Sequence, residues 1–214
     1  IARPGGHDRT QATDILIYAH VHQPRRFRLP AEPLPPCAPA ETLSQAIFDD
    51  ALNEKYFHQV AESSYYPATE KFRELLDQGF KFAVGFSLSF LEQAQRWDGK
   101  LLNRFCDLVK NENVELVAVE PSHSVLSLWD IPRYIQQMLS AAERLEALFG
   151  KRPVIADATG MEMLDTIYHA LDQVGFKATI LDGPSQTLDW RQPSHIYHHG
   201  SGKMKMLVCH HDLS

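Results

Sequence analysis

Segments with strand character alternate with segments of helical periodicity along most of this 214-residue chain. The aliphatic runs predict strands at Asp14–His20, Phe80–Ser87, Val114–Val119, Pro153–Ala156, Lys177–Leu181, Ile196–Tyr197 and Met204–Cys209. Strands that alternate with helices indicate right-handed βαβ units and a parallel sheet. We therefore expect an α/β fold, a barrel-type sheet of about six strands, and 214 residues suit one such domain.

Apolar residues at helical spacing fill the segments between the strands. Helices are predicted over Asp49–Ser63, from Pro67 to a cap at Gly79, around Leu101–Val109, from Asp130 to Gly150, and from Leu164 to Gly175. Five prolines between residues 29 and 40 predict a long surface loop with polyproline character, on the active-site side of the first strand. We expect an N-terminal extension over residues 1–13 and the barrel domain over residues 14–214.

Composition excludes several classes of protein. A net charge of −6 with scattered basic residues gives no footprint for nucleic acid. No apolar run approaches the length of a membrane helix, and no signal segment is visible, so no membrane partner is expected. The three cysteines are odd in number and far apart, which favours a reducing compartment, and hence the cytoplasm. The oligomeric state is not indicated.

Ionisable side chains follow the predicted strands where an α/β barrel places its active site, at the carboxyl ends. They are His20, His22 and Gln23 after the first strand, Glu120 and His123 after the third, then Asp157, Asp182, His210, His211 and Asp212. A single Asp after a strand is often a cap or turn residue, which is the alternative for Asp157 and Asp182. The full set predicts a site at this edge of the sheet.

Two kinds of chemistry fit such a ring of side chains. Glycoside hydrolysis needs two carboxyl groups, and different strand ends can supply them. Alternatively, His20 and His22 face the same side of one strand and could bind a divalent metal ion. His195, His198, His199, His210 and His211 would then offer further ligands, so a metal-dependent hydrolase stays open.

Several residues suit carbohydrate binding. The Trp190 face could stack on a sugar with Arg191 as a hydroxyl donor, although a buried Trp beside a surface Arg fits equally. Gln23 can donate to and accept from vicinal hydroxyls, and His123 could contact a hydroxyl or orient Glu120.

Four blocks of sequence, in order, carry a resemblance to a known family. They are the strand ending in His22-Gln23-Pro24, the segment Val114–Ala118 followed by His123-Ser124, the stretch Trp190–Tyr197, and the run Met204–Ser214. Together the blocks resemble glycoside hydrolase family 57, and most closely its α-amylase-like group.

The resemblance implies an incomplete (β/α)7 barrel of the glycoside hydrolase and deacetylase kind. It also implies a retaining mechanism on α-glucans or oligosaccharides without a metal or organic cofactor. On this basis Glu120 is the candidate catalytic residue, and His22, Gln23, His123, Trp190 and Arg191 are candidate substrate-binding residues.

The chain departs from the family pattern at the residues that carry catalysis. The family's nucleophilic Glu directly follows the strand's Ala, where this chain has Val119, and Glu120 comes one residue later. Since strand side chains alternate between faces, this shift could turn Glu120 away from the substrate unless a bulge restores its direction.

Two further family features differ. The family's Arg-Asn-Thr-Glu-Leu stands here as Asp157–Met161, and the family acid would follow Ser214. We therefore expect a fragment of a longer protein with a degenerate site. A carbohydrate-binding or regulatory derivative without catalysis is the alternative.

Overall fold

The computed structural model describes residues 15–30, 33–34, 36–184, 188–200 and 202–210. In this part of the chain the strands are β1 (Ile17–Val21), β2 (Phe82–Phe86), β3 (Val114–Val119), β4 (Ile155–Asp157), β5 (Ala178–Leu181), β6 (Ile196–His198) and β7 (Lys205–Val208). The helices are α1 (Ala40–Ile47), α2 (Asp50–Val60), α3 (Tyr66–Asp77), α4 (Leu88–Trp97), α5 (Gly99–Val109), α6 (Ile131–Phe149) and α7 (Asp165–Val174).

All seven strands form one mostly parallel sheet in the order β1-β2-β3-β4-β5-β7-β6. Only β6, which pairs antiparallel with β7, departs from the parallel arrangement among these strands. The sheet is not closed in the described part of the chain, because β1 and β6 lie at its two ends. This α/β architecture confirms the predicted incomplete barrel, and the carboxyl ends of the parallel strands share one edge.

The two faces of the sheet carry different side chains. On β3, Val114, Leu116 and Ala118 belong to the large core under the helices. Val117 belongs to a smaller cluster with Ala83 and Ile180 on the inner face. Because side chains alternate along a strand, the inner face of β3 also carries the last strand residue, Val119.

Helix α6 shows why local sequence sets the element boundaries. The Asp130 side chain accepts a hydrogen bond from the Arg133 backbone N–H at 3.1 Å, which satisfies a free donor of the first turn. At the other end Gly150 adopts a left-handed conformation with φ of 69°, which glycine tolerates without strain. Both predicted helix ends are confirmed.

Four features differ from the sequence prediction, of which the first is helix α1, a helix that the sequence did not predict. Helix α4 was not predicted, because the Ser87 side chain ends the predicted strand by capping that helix through the Phe90 N–H. The two helices predicted around Pro67 form one helical run, in which the π-helical turn Ala61–Tyr65 joins α2 to α3. The first strand begins later than predicted, at Ile17, and Asp14 lies outside the described residues.

The prediction for residues 29–40 concerns a region that the structure describes only in part. Residues 38 and 39 are irregular, and α1 begins at Ala40. Among the described residues, no helix is both long and apolar enough to cross a membrane.

Candidate active site at the carboxyl ends of the strands

Three histidine rings meet at the carboxyl ends of β1 and β3. The His123 ring centroid lies 5.0 Å from that of His20 and 4.9 Å from that of His22. His20 and His22 approach from β1, where alternate residues share a face, and His123 approaches from the turn after β3 with φ of 55°. We call these three residues the histidine cluster.

A buried carboxyl group lies beside the histidine cluster. The Tyr18 hydroxyl donates to Asp157 Oδ2 at 2.7 Å, and His20 Nδ1 lies 3.7 Å from the same oxygen. Asp157 is only 2% exposed, and this burial raises the pKa of its carboxyl group to about 6, against the opposing effect of the Tyr18 hydrogen bond. Burial and the Asp157 charge together raise the Tyr18 pKa.

The environment favours the neutral imidazole at two of these residues, His20 and His22. Burial, and then the neighbouring His123 and His22, lower the pKa of His20 to about 4. Burial, and then His123, also lower the pKa of His22, whose Nδ1 lies 2.8 Å from Ser87 Oγ. Since His20 is neutral at pH 7, its contact with Asp157 is polar and is not an ion pair.

In the histidine cluster and the neighbouring Asp157, two described side-chain atoms have no hydrogen-bond partner. His20 Nε2 and Asp157 Oδ1 are both buried and unpaired among the described residues. Buried polar groups in proteins are usually paired. The site therefore has more hydrogen-bonding capacity than the described residues use.

Glu120 lies next to this site, but the loop that follows it engages its carboxylate. The group is fully buried, with 0% exposure. It accepts hydrogen bonds from the Ser122 N–H at 3.0 Å, the Ser124 N–H at 2.5 Å and the Ser124 hydroxyl at 2.9 Å. The carboxylate thus holds the turn that carries His123.

The inner position at the end of β3 belongs to Val119. This residue is the register partner of Asp157 on β4. A Cβ atom placed on Gly85 would lie 2.6 Å from Val119 Cγ2 and 2.7 Å from the Tyr18 hydroxyl oxygen. Val119, Tyr18 and Asp157 therefore share the inner face, and only glycine fits between Val119 and Tyr18 at position 85.

Gln23 is buried and connects the loop after β1 to the neighbouring helices. Its Oε1 accepts from the Tyr65 hydroxyl at 2.7 Å, and its carbonyl accepts from Ser89 Oγ at 2.7 Å and Gln93 Nε2 at 2.8 Å. Burial raises the pKa of Tyr65 to about 12, so the hydroxyl stays a donor at neutral pH. These contacts fix the backbone beside His22.

Trp190 and Arg191 lie in the loop after β5. Trp190 is 80% exposed, and the Arg191 guanidinium lies 5.0 Å from the centre of its ring. Neither residue has a hydrogen bond or ring contact with the histidine cluster in the part of the chain that the structure describes. The indole is therefore exposed and not packed between helix and strand.

The remaining candidates are spread along the sheet edge. Asp182 Oδ1 accepts from the Gly183 N–H at 2.9 Å, which is a turn contact. His199 lies on the β6 side, with Nε2 at 3.4 Å from Asp165 Oδ1, and His195 and His198 are exposed. His210 is the last residue that the structure describes, and His211 and Asp212 lie beyond the described residues.

The alternative of a metal-dependent hydrolase requires several ligand side chains that converge on one point. Among the described residues, no group of three or more His, Cys, Asp or Glu side chains is arranged so that it could hold a metal ion. The three histidine rings are tilted against one another by 30° to 55°, and the neighbouring Asp157 carboxyl group accepts a hydrogen bond from Tyr18.

Two site residues were missed by sequence reasoning. Tyr18 precedes His20 by two positions on β1, so alternation alone would have placed both on the same face. Gly85 lies in register with His20 on the adjacent strand. Glycine within a strand often marks a close approach, which was the available signal.

Comparison with known proteins now identifies the family. A sequence profile of Glycosyl hydrolase family 57 matches residues 16–214. The chain belongs to glycosyl hydrolase family 57. A Methanocaldococcus jannaschii protein named "Putative alpha-amylase" is 32% identical over 203 residues, covering 94% of this chain and 42% of that protein. The family 57 chain thus spans less than half the length of this relative.

Solved structures agree with the family 57 fold. The α-amylase AmyC from Thermotoga maritima superposes with a TM-score of 0.68 at 15% identity, over 93% of this chain and 46% of that one. The 4-α-glucanotransferase from Thermococcus litoralis superposes with a TM-score of 0.67 at 17% identity, over 92% of this chain and 28% of that one. At these identities the likeness concerns the fold alone.

Proposed function

We propose that this family 57 domain binds an α-glucan at the histidine cluster and that it does so without a covalent intermediate on Glu120. The observation that carries the proposal is the set of three neighbouring imidazoles, with ring centroids 4.9 to 6.2 Å apart. A neutral imidazole, as favoured at His20 and His22, both donates and accepts a hydrogen bond, and sugar hydroxyls need both. The family's relatives are named for α-amylase and 4-α-glucanotransferase, which supports an α-glucan as the ligand.

The proposal about Glu120 rests on its hydrogen bonds. A retaining nucleophile needs a carboxylate oxygen free to attack the anomeric carbon. Both Glu120 oxygens already accept from Ser122 and Ser124, and the group is buried. The inner position on β3 is a valine, which has no nucleophilic atom. This supports the alternative of a binding domain with lost catalysis.

Isothermal titration of the full-length protein with maltotriose and maltoheptaose tests binding. We expect measurable affinity, and His123→Ala should weaken it about threefold to tenfold, since one hydrogen bond contributes about 0.5–1.5 kcal/mol. His195→Ala is the matched control, because His195 is exposed outside the cluster, and it should leave the affinity unchanged. Absence of binding would refute the proposal.

Release of reducing sugar from maltoheptaose tests the role of Glu120. Glu120→Gln removes the only carboxylate that the sequence offered as a nucleophile, but it keeps an oxygen that accepts the loop's hydrogen bonds. We expect the variant to release reducing sugar at the same rate as the parent protein, including the case in which neither protein releases any. A large loss of turnover in this variant, with unchanged binding, would restore Glu120 as the catalytic residue.

We also propose that the domain works in the cytoplasm. Cys37, Cys106 and Cys209 are all free thiols, and Cys37 is exposed. Exposed free thiols suit a reducing compartment. Fractionation of the source cells tests this, and recovery outside the cytoplasm would overturn it.

A further inference from the structure

A second tryptophan lies exposed on the same side of the sheet as the histidine cluster. Trp129 is 76% exposed, in the connection between β3 and α6. Helix α6 begins two residues later, at the carboxyl ends of the strands, because it is the crossover from β3 to β4. Trp129 therefore lies on the active-site edge of the sheet, six residues after His123 in the same loop.

The backbone that carries Trp129 is fixed. The Trp129 N–H donates to the Leu126 carbonyl at 3.2 Å, and the Asp130 N–H donates to the same oxygen at 3.0 Å. The Asp130 side chain then caps α6. An exposed indole on a rigid backbone loses little conformational entropy when a ligand covers it.

Hydrogen bonds join this turn to the buried part of the site. The Leu126 N–H lies 3.3 Å from Ser124 Oγ, and that hydroxyl donates to the Glu120 carboxylate. The Thr159 hydroxyl, just after β4, donates to the Ser124 carbonyl at 2.5 Å. The loop over residues 120–130 is thus one preformed unit, anchored by Glu120 and tied to β4.

We infer that this loop is an outer subsite for the α-glucan, in which the Trp129 indole stacks on a sugar ring beyond the histidine cluster. The inference rests on the proposed function. Aromatic faces pack well against the apolar C–H faces of sugars. The α-glucan is favoured as occupant because the same rigid loop presents His123 to the proposed inner site. Glu120 is then a positioning residue for both contacts.

Glucans of two lengths separate the outer subsite from the inner one. We expect Trp129→Ala in the full-length protein to weaken maltoheptaose binding about tenfold, from the loss of one aromatic stacking contact. We expect maltotriose to fill only the inner site, so its affinity should fall less than twofold. Trp129→Phe keeps an aromatic face and should restore most of the maltoheptaose affinity.

Leu164→Ala is the matched control, since Leu164 is an exposed apolar residue at the start of α7, on the same edge of the sheet. It should change neither affinity. Equal affinity of Trp129→Ala and the parent protein for maltoheptaose would overturn the inference while leaving the proposed function intact. A lowered melting temperature with equal loss for both glucans would also overturn it, since Trp129 would then pack against another part of the protein. If the parent protein binds neither glucan, the proposed function fails and the subsite fails with it.

Discussion

Val119 and Asp157 are register partners at the carboxyl ends of β3 and β4, with both side chains on the inner face of the sheet. A hydrocarbon side chain therefore lies directly beside a buried carboxyl group. This pairing keeps a second charge away from Asp157, and it leaves the end of β3 without a reactive atom.

Placing a carboxylate at position 119 should destabilise the domain. Val119 is buried, so Val119→Glu buries a charge next to Asp157, and we expect the free energy of unfolding to fall by about 3 kcal/mol. The added like charge should also raise the Asp157 pKa further. Urea denaturation at pH 7 measures the loss. The threonine in Val119→Thr has a shape similar to valine and carries no charge, so this variant should lose less unfolding free energy than Val119→Glu. Equal losses of unfolding free energy in the two variants would contradict the electrostatic explanation.

The opposite pKa shifts of Asp157 and His20 should leave a pH signature. Burial raises the Asp157 pKa to about 6, so its contribution to stability is complete below its unfolded pKa and is lost as pH rises through about 6. Burial lowers the His20 pKa to about 4, so its contribution is complete above its unfolded pKa and is lost as pH falls through about 4. The two effects oppose each other between these values.

Single substitutions should expose each effect. Between pH 4 and pH 7 we expect the unfolding free energy of Asp157→Asn to rise relative to the parent protein by about 3 kcal/mol, from a pKa shift of about two units. Over the same pH range, the unfolding free energy of His20→Asn should fall relative to that of the parent protein. Urea denaturation across the pH range provides both curves. Differences that do not vary with pH would show that neither group is perturbed in the folded protein.

The Tyr18 hydroxyl should hold down the Asp157 pKa. Its hydrogen bond favours the ionised carboxylate and opposes the effect of burial. Tyr18→Phe removes that donor, and we expect the Asp157 pKa to move above about 6. NMR titration of the carboxyl carbon measures the shift. Tyr168→Phe, in which the lost hydroxyl bonds to the Met204 carbonyl, is the control and should leave Asp157 unchanged.

Removing the Glu120 carboxylate should loosen its loop. Glu120→Ala leaves the Ser122 and Ser124 donors without an acceptor, and we expect about 2–4 kcal/mol less stability, since buried unpaired donors cost about 1–3 kcal/mol each. Glu120→Gln keeps one accepting oxygen, so its loss of stability should be about half that of Glu120→Ala. Hydrogen exchange at the Ser122 and Ser124 amides reports the local effect. Unchanged protection in Glu120→Ala would contradict the anchoring role.

Sequence patterns were sufficient where one physical signal dominates. The run Val114–Val119 is fully apolar except for Glu115, and β3 has those bounds. Asp130 and Gly150 mark the ends of α6, because a side-chain cap and a left-handed residue have few alternatives. The rule that strand ends carry the site also brought together His22 and His123, which are distant in sequence.

Local signals did not predict how each side chain is used. Alternation raised the question of which way Glu120 points, but its bonds to Ser122 and Ser124 depend on the loop backbone. No periodic signal distinguishes an exposed Trp129 from a buried one. Helix α4 was missed because its N-cap, Ser87, is also the last residue of the predicted strand, so the strand signal runs directly into the helix.

The lack of space at Gly85 has a consequence for the history of this site. Val119 and Tyr18 both lie too close to position 85 for any side chain to fit there. A larger residue at 85 is therefore tolerated only where the residue at 119 or at 18 is smaller. Across related chains we expect positions 18, 85 and 119 to covary, with a smaller residue in place of Val119 or Tyr18 wherever position 85 is not glycine.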